Sequence, residues 1–350
     1  MTIDDMIVER ERLHGHPERV DLIGLLPQEA RPLYREDFPL LWRRNGNLVL
    51  WSGRMAAEID RIDARHVHWL RSLDGLRTWA TIIQNVPIPL ADASRLIRAL
   101  IPIGALDDAT SMPHSWRWIG EGERIHARGD LAAAAHVYGG ADRANHAIDN
   151  RYATGVVVIG RTVLAALCRD AITSSGLRLV ESGSCAGANG LRSVIVVLAD
   201  GGHPDSITDV DTPLHDLPHM PVAVFGDRAS VGPLVVPGQT SCLRCSHLHA
   251  RDADGTWPLL NLQLASQVSR LRVAPTDRLL ARAAALLAAL ILRGWADDEG
   301  NAERARAWGN SSFDLHLPVA LPQRVSRPVH PLCGCHWVQT DRLCEVGHLG

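Results

Sequence analysis

The 350-residue sequence contains no lysine, and all 36 of its basic residues are arginine. Catalysis through a lysine Schiff base is therefore excluded, and so are nucleotide sites that depend on a P-loop or protein-kinase lysine. Long hydrophobic runs are also missing: the longest, Ala283–Leu292, has about half the length that a bilayer span requires. The N-terminal segment lacks a hydrophobic core, so we expect no secretion signal. The sequence thus predicts a protein without a membrane partner.

Charge of one sign is not in excess either. A formal net charge of −3 provides no general attraction to nucleic acid or to anionic membranes. Cysteine is sparse, since there are seven, an odd number, and four of them form close pairs of the kind that bind metals. This usage favours a reducing, cytoplasmic environment over a disulfide-bonded, secreted one. The chain length favours two domains.

Two short cysteine motifs predict a metal site. They are Cys242-Leu-Arg-Cys245 and Cys333-Gly-Cys335. Two thiols from one tight turn and two from a distant turn satisfy the tetrahedral preference of Zn²⁺ for soft ligands. We therefore expect a structural Cys₄ zinc site with no open position for catalysis. His330 and His336 flank the second motif, so a Cys₃His variant stays open, and the alternative is four unrelated reduced thiols.

Residues 39–110 carry the pattern of a winged-helix module, preceded by a polar, irregular extension over 1–38. Two apolar strands within 40–51 are joined by Asn45-Gly46, a strong hairpin signal. A third strand is predicted over 55–62, and three helices follow. Asp63 is the predicted cap of the first, over 64–73, Thr78 is that of the second, which runs to Gln84, and Asp92 opens the third. Leu96, Ile97, Leu100 and Ile101 form the predicted buried stripe of the third helix.

The third helix is a poor partner for nucleic acid. It offers only Arg95 and Arg98, and the acidic pair Asp107-Asp108 follows. A winged-helix module can instead accept an extended peptide as an added strand at its sheet edge. The candidate peptide-binding residues are Ile59, Arg61, Arg95 and Arg98.

The remaining chain predicts a linker over 111–150, with a short helix over 130–138, and an α/β domain over 151–350. Apolar strands and helical stretches alternate there, which favours a largely parallel sheet. The predicted strands cover 155–160, 177–181, 192–199, 220–225 and 231–236, with an edge strand over 313–319. The predicted helices cover 162–174 and 276–295.

The turn after the first of these strands is where a Rossmann-type fold places Gly-x-Gly-x-x-Gly. The sequence has Gly160-Arg-Thr162-Val-Leu-Ala165, so only the first glycine remains. Thr162 puts a side chain where the backbone would approach a phosphate, whereas Ala165 is tolerable. Glu181, about 20 residues further on, stands where a ribose-binding carboxylate is expected. The loop is that of a degenerate nucleotide site, and we do not expect ATP binding.

Three stretches together resemble a known family. The segment from Val231 through the first cysteine motif to Trp257-Pro258 resembles the signature of ThiF-like partner proteins of azoline-forming (bacteriocin) cyclodehydratases. His330-Pro-Leu-Cys-Gly-Cys335 is similar to the second zinc half-site of that family. Leu73-Asp-Gly-Leu-Arg-Thr-Trp-Ala-Thr-Ile82 resembles the central motif of PqqD-like peptide-recognition modules.

The resemblance implies a PqqD-like winged-helix module that grips the leader segment of a ribosomal precursor peptide. A degenerate Rossmann-like ThiF/MoeB adenylyltransferase fold with a structural zinc site would follow it. Proteins of this family present the peptide to a YcaO-type cyclodehydratase, which uses ATP to cyclise Cys, Ser or Thr. The resemblance favours an accessory protein over an enzyme, and a homodimer stays open because relatives of the fold are often dimers.

Two other functions remain as alternatives. One is an active ThiF/MoeB-type adenylyltransferase acting on a peptide or carrier-protein C-terminus, which intact loop glycines would have favoured. The other is a zinc-containing winged-helix regulatory protein, which a basic recognition helix would have favoured.

Overall fold

The computed structural model describes residues 22–35, 38–51, 56–118, 120–180, 193–199, 217–269, 276–298 and 309–335. The chain forms two compact units that meet in sequence between Asp149 and Asn150. We refer to them as unit 1 and unit 2 and describe each by itself. Both contain helices and strands, so the chain is a mixed α/β protein.

Unit 1 contains two small antiparallel sheets. Its strands are β1 (Pro32–Tyr34), β2 (Leu40–Trp42), β3 (Leu48–Trp51), β4 (Ala56–Ile59) and β5 (Leu106–Asp108). β3 lies between β2 and β4, and β1 pairs with β5. The hairpin predicted at Asn45-Gly46 is confirmed, with Leu40 opposite Leu50, and the predicted third strand is β4.

Asp108 fastens the β1–β5 sheet at one end. Its Oδ1 accepts hydrogen bonds from the backbone N–H of Arg31 at 3.0 Å and of Thr110 at 2.9 Å. Burial by itself would raise the pKa of this carboxyl, but these bonds and the Thr110 hydroxyl lower the pKa overall.

Side chains cap the first two helices of unit 1. The helices of this unit are α1 (Ala64–Arg71), α2 (Trp79–Gln84), α3 (Leu90–Leu100), α4 (Glu121–Tyr138) and α5 (Ala141–Ala153), which runs on into unit 2. Asp63 caps α1 through a capping box and Thr78 caps α2, as predicted. α3 starts at Leu90, two residues before the predicted start at Asp92, because Pro89 has a fixed φ and needs no N–H partner at the N-cap.

The core of unit 1 is built around Trp69 and Trp79, both almost fully buried. Leu96, Ile97 and Leu100 of α3 join them, but Ile101 does not: it is 42% exposed, because α3 ends at Leu100. Two predictions for the flanking segments need correction. Within 1–38, Leu22, Tyr34 and Phe38 belong to this core, and the predicted linker over 111–150 contains α4, the start of α5 and a 3₁₀ helix, His114–Trp118.

Unit 2 is organised around a seven-stranded sheet in the order β12-β11-β10-β9-β8-β6-β7. The strands are β6 (Thr154–Ile159), β7 (Arg178–Leu179), β8 (Ser193–Leu198), β9 (His219–Phe225), β10 (Arg228–Val231), β11 (Ser311–His316) and β12 (Gln323–Ser326). Only the pairs formed among β7, β6, β8 and β9 are parallel. The other three pairs are antiparallel, so the prediction of a largely parallel sheet holds for half of it.

Two further strand predictions for unit 2 were wrong in detail. The strand predicted over 231–236 lies earlier, at β10, because the chain turns away after Val231 towards the cysteine motif. The strand predicted at the sheet edge over 313–319 is β11, which is paired on both sides, because β12 returns along it and forms the edge.

The helices of unit 2 are α6 (Val163–Ser174), α7 (Leu243–Ala253), α8 (Trp257–Ser269) and α9 (Arg278–Asp297). α6 and α9 pack together against the sheet, where alanines of α9 such as Ala281, Ala284 and Ala288 allow a close approach. Of the helices described, α9 alone is long and apolar enough to cross a membrane, and 56% of its most apolar stretch is buried in the fold. A core helix passes the same test.

A buried ion pair ties the two ends of unit 2 together. Arg151 in α5 binds both carboxylate oxygens of Asp297 at the end of α9, with Nη2 to Oδ2 at 2.7 Å. Both side chains are almost completely shielded from solvent. Because each charge would be costly to bury alone, the pair fixes the position of α9 relative to β6.

Candidate metal centre and nucleotide loop

The first cysteine motif lies at the start of a helix. Cys242 is the N-cap of α7, and Cys245 follows one turn later, with its N–H bonded to the Cys242 carbonyl at 3.1 Å. Before them, the N–H of Ser241 donates to Oδ1 of Asn310 at 2.8 Å, which fixes the approach of the chain. The turn therefore directs both sulfurs to the same side, at the helix end that favours negative charge.

The second motif reaches the same point from the C-terminal part of the chain. The N–H of Cys333 donates to the carbonyl of His330 at 3.0 Å, which closes a turn. Gly334, between the two cysteines, has φ +73°, a left-handed conformation that other residues rarely adopt. This conformation lets Cys333 and Cys335 face the first pair.

The four sulfurs form one compact cluster. Their Sγ atoms all lie within 4.8 Å of one another, at 3.8 Å for Cys242 to Cys245, 3.3 Å for Cys242 to Cys333 and 3.5 Å for Cys245 to Cys335. A tetrahedral zinc ion with Zn–S bonds of about 2.3 Å separates its sulfurs by about 3.8 Å. Disulfide bonds would bring them to about 2.0 Å, and all four cysteines are free. The predicted cysteines therefore meet at distances suited to a metal ion.

The thiols of the cluster differ in their pKa values because they hydrogen-bond to one another. The S–H of Cys242 donates to Cys245 and lowers the pKa of Cys245 to about 4, against the effect of burial. The same hydrogen bond, followed by burial, raises the pKa of Cys242. Burial, followed by the hydrogen bond to Cys245, raises the pKa of Cys335 to about 12. The cluster thus concentrates negative charge on one sulfur, which is what a cation would meet first.

His330 is a neighbour of the cluster and not a ligand. Its Nδ1 accepts the N–H of Leu332 at 3.1 Å and its Nε2 lies 2.8 Å from Oδ2 of Asp252 in α7, so both ring nitrogens are already bonded. The Cys₃His variant through His330 is therefore wrong, and His336 lies outside the described residues. Asp252 was missed in the sequence, since its partner stands 78 residues away. This contact joins the helix of the first motif to the turn of the second.

The nucleotide loop follows β6 directly. Gly160 has φ +136°, and a Cβ at this position would collide with the carbonyl of Ala199, so only glycine fits. Thr162 is the N-cap of α6: its Oγ1 donates to the Ala199 carbonyl at 3.1 Å and accepts the N–H of Ala165 at 3.4 Å. Ala165 is fully buried where the helix meets the strand. Glu181 lies outside the described residues.

An arginine closes the other side of this loop. Arg169 in α6 donates through Nη2 to the carbonyls of Val158 at 2.9 Å and Gly160 at 3.0 Å. Its guanidinium is therefore bonded to the protein backbone. One guanidinium nitrogen and the Ala165 N–H, both groups that could bind a phosphate, therefore already have partners within the protein.

The four candidate peptide-binding residues lie along β4 and α3, but in different states. Ile59, the last residue of β4, is buried. Arg98 is exposed, and so is Arg61, which forms an ion pair with Asp60 at 3.4 Å. Arg95 forms ion pairs with Asp60 at 2.6 Å and with Asp92 at 3.1 Å. The structure thus brings the four to one region of unit 1, with the charge of Arg95 already compensated.

Comparison with solved structures identifies the fold. A heterocyclase solved with substrate and cofactor has a TM-score of 0.57 and 13% identity over 87% of this chain. The heterocyclase TruD has a TM-score of 0.56 and 14% identity over 87% of this chain. E. coli MccB, also solved with ATP, has a TM-score of 0.53 and 15% identity over 91% of this chain.

The share of each neighbour that is matched differs. This chain spans 39% and 42% of the two heterocyclases but 99% of MccB. No protein-family model matches the chain, and no curated protein matches its sequence. At these identities the likeness concerns the fold alone: the chain has the fold of MccB and of part of the two heterocyclases.

Proposed function

We propose that this protein binds the leader segment of a ribosomal precursor peptide and presents it to a YcaO-type cyclodehydratase, without adenylating the peptide itself. In this proposal unit 1 is a PqqD-like winged-helix module that recognises the peptide. Unit 2 is a Rossmann-like adenylyltransferase fold that has lost its nucleotide site. The fold shared with heterocyclases, one of them solved with its substrate, supports a role in the maturation of such peptides.

The edge of the three-stranded sheet supports peptide binding by unit 1. β4 pairs with β3 on one side only, and no other strand of the described ranges covers its outer edge. α3 packs beside β4, and in this proposal the strand edge and the helix border the groove that receives the peptide. An extended peptide can add a strand there through its main chain. Exposed Arg61 and Arg98 at this groove would favour an acidic peptide segment.

The nucleotide loop carries the proposal that the chain does not adenylate. Thr162 puts its hydroxyl on the Ala165 N–H, the group that would bind a phosphate at the start of α6. Displacing that hydroxyl would also break its bond to Ala199. The sequence has no lysine to neutralise a triphosphate.

The cysteine cluster fits a structural zinc ion. Cys242, Cys245, Cys333 and Cys335 would supply all four ligands of a tetrahedral site, so no position is left for a reacting group. The ion would hold the start of α7 against the turn at Gly334. Its contribution is to the stability of unit 2.

Leader binding can be tested by fluorescence anisotropy with the precursor peptide encoded nearest to this gene. We expect Arg98→Glu to weaken binding about fivefold, because a favourable surface charge contact becomes repulsive. Arg71→Glu, at an exposed arginine of α1, is the matched control and should bind as wild type does. A peptide with N-methylated backbone amides should bind more weakly. Wild-type affinity for both the Arg98→Glu protein and the methylated peptide would rule out strand addition at this groove.

An active adenylyltransferase remains the second candidate, because the fold of MccB, solved with ATP, is matched over nearly its whole length. Calorimetric titration of the zinc-loaded protein with Mg·ATP separates the two. We expect no heat of binding up to about millimolar nucleotide, weaker than enzymes ordinarily require. Micromolar binding would reverse the assignment, and pyrophosphate exchange with the peptide would then be measured.

A further inference from the structure

A small pocket lies beside the first cysteine motif, between α7 and the antiparallel part of the sheet. Its volume is about 70 Å³, and it opens to solvent. One wall is apolar, with Pro221, Pro233 and Leu243. The polar residues that line it are Ser230, Ser246, His247, Trp257 and Arg327.

Three of these polar residues have bonding capacity that the protein leaves unused. The hydroxyl of Ser246 and the indole N–H of Trp257 are buried and have no hydrogen-bond partner among the described residues. Arg327 uses its Nε to bond the hydroxyl of Ser312 at 3.0 Å, and within the described ranges it forms no ion pair. Buried donors without partners carry a desolvation cost that a bound acceptor would remove.

The charge of the pocket is positive. None of its lining residues is acidic. The Ser230 hydroxyl donates to Oδ1 of Asp314 at 2.8 Å. The other oxygen of that carboxylate forms an ion pair with Arg228 at 3.1 Å, so both carboxylate oxygens already have partners. The lining therefore offers one guanidinium and two unpartnered neutral donors, Ser246 and Trp257, which an occupant with acceptor oxygens would match.

Charge and geometry together select the occupant. A cavity needs about 10–15 Å³ of such space to hold one water molecule, so the pocket accommodates a small polar group of several heavy atoms. A planar carboxylate matches both the single charge and the fork of an arginine, whereas a doubly charged phosphate would meet only one cation. We propose that this pocket binds a single carboxylate group, with its carbon chain leaving along the wall formed by Pro221, Pro233 and Leu243.

Three sources carry that chemistry: the C-terminus of a peptide, an acidic side chain, and a free small acid. The pocket shares α7 with the sulfur cluster but includes none of its four cysteines, and none of the residues of the loop at Thr162 lines it. It also does not rest on leader binding by unit 1, so its failure would leave that proposal intact.

The NMR resonance of the Trp257 indole N–H can report whether the pocket is occupied. The full-length, zinc-loaded protein is labelled with ¹⁵N at its tryptophan indoles, and the Trp257 resonance is assigned with Trp257→Phe. N-acetylglycine, acetate and the side-chain acid N-acetylaspartate amide are titrated at constant ionic strength, each representing one source. We expect a saturable shift with a dissociation constant on the order of millimolar, as befits ligands of so few atoms. The tightest of the three identifies the source.

Arg327 and Arg324, three residues apart in the sequence, provide a matched pair of variants. Arg327→Gln should weaken binding by about tenfold or more, since it removes the charged donors. Arg324→Gln should stay within about twofold of wild type, because Arg324 bonds Ser311 through Nε in the same manner but does not line the pocket. Ser246→Ala, which should weaken binding without removing a charge, serves if Arg327→Gln does not fold.

Several results would overturn the proposal. Equal shifts with neutral N-acetylglycinamide would show that the carboxylate is not recognised, and stronger binding of inorganic phosphate would assign a different anion. No saturable shift with any of the acids would mean that the pocket holds only water. Wild-type affinity in folded Arg327→Gln or Ser246→Ala protein would place the response elsewhere.

Discussion

Zinc binding by the cysteine cluster should release at least two protons for each ion at neutral pH. Two thiolates 3.5 Å apart, the distance from Cys245 to Cys335, repel each other by about 5 kcal/mol at an effective dielectric constant of about 20. The metal-free cluster therefore keeps protons, and the raised pKa values of Cys242 and Cys335 place them on these two sulfurs. Zinc binds thiolates, so both protons must leave.

The same linkage predicts how zinc affinity depends on pH. Below the pKa of a thiol, each proton released changes the affinity tenfold per pH unit, so two protons give about a hundredfold or more. The sign follows directly: protons compete with zinc, and affinity falls as the pH falls. Because Cys245 has a lowered pKa, its thiolate is already present at neutral pH and adds nothing to this slope there.

Calorimetric titration of metal-free protein with buffered zinc measures the released protons, when it is repeated in buffers of different ionisation enthalpy. Cys168→Ser is the control, because Cys168 is buried in α6, away from the cluster. It should leave both the proton count and the pH slope unchanged. Fewer than one proton per ion, or an affinity that does not change with pH, would refute the assignment of protonated thiols.

Three further predictions concern stability in denaturant titrations. Thr162→Ala should lower the free energy of unfolding by about 1 kcal/mol, the usual value of a lost N-cap, whereas Thr173→Ala, near the other end of α6, should cost less than about 0.5 kcal/mol. Asp297→Asn should cost about 3–5 kcal/mol because it leaves Arg151 buried without its partner, and the apolar double replacement R151M/D297L should recover most of this. Because the folded pKa of Asp108 is lowered, its stabilising effect is complete above about pH 4 and is lost as the pH falls further, so D108N should show a flatter acid limb. An unchanged acid limb in D108N, or a double replacement no better than Asp297→Asn, would contradict the corresponding argument.

Local features of the fold were predictable from the sequence. The Asn45-Gly46 hairpin and the caps at Asp63 and Thr78 depend on a few adjacent residues, and the structure confirms them. The direction of strand pairing was not predictable in the same way. Val231 stands in an apolar run, and such a run reads the same in a parallel and in an antiparallel strand. The outcome depends on β10 and β11, which meet across about 80 residues of chain.

The candidate sites also differ in how far they could be predicted. The spacing of the cysteines was enough to predict the two chelating motifs, because chelation by a tight turn is a local property. Thr162 was predicted to spoil a phosphate site, but its role as the cap of α6 and partner of Ala199 requires the packed sheet. The contact of Asp252 with His330 and the convergence of Trp257 with Arg327 arise from residues far apart in sequence. No local pattern marks them.

The separation of the two cysteine motifs also bears on the order of events during synthesis. Cys242 precedes Cys333 by 91 residues, and a ribosome adding about 5–20 residues each second needs roughly 5 to 20 seconds to cover that interval. Until then the nascent chain offers a metal only half a set of ligands. The complete cluster can form only after α8, α9, β11 and β12 have been translated. Acquisition of the ion would therefore mark a chain whose sheet has all its strands, and a polypeptide released early would lack the means to capture it.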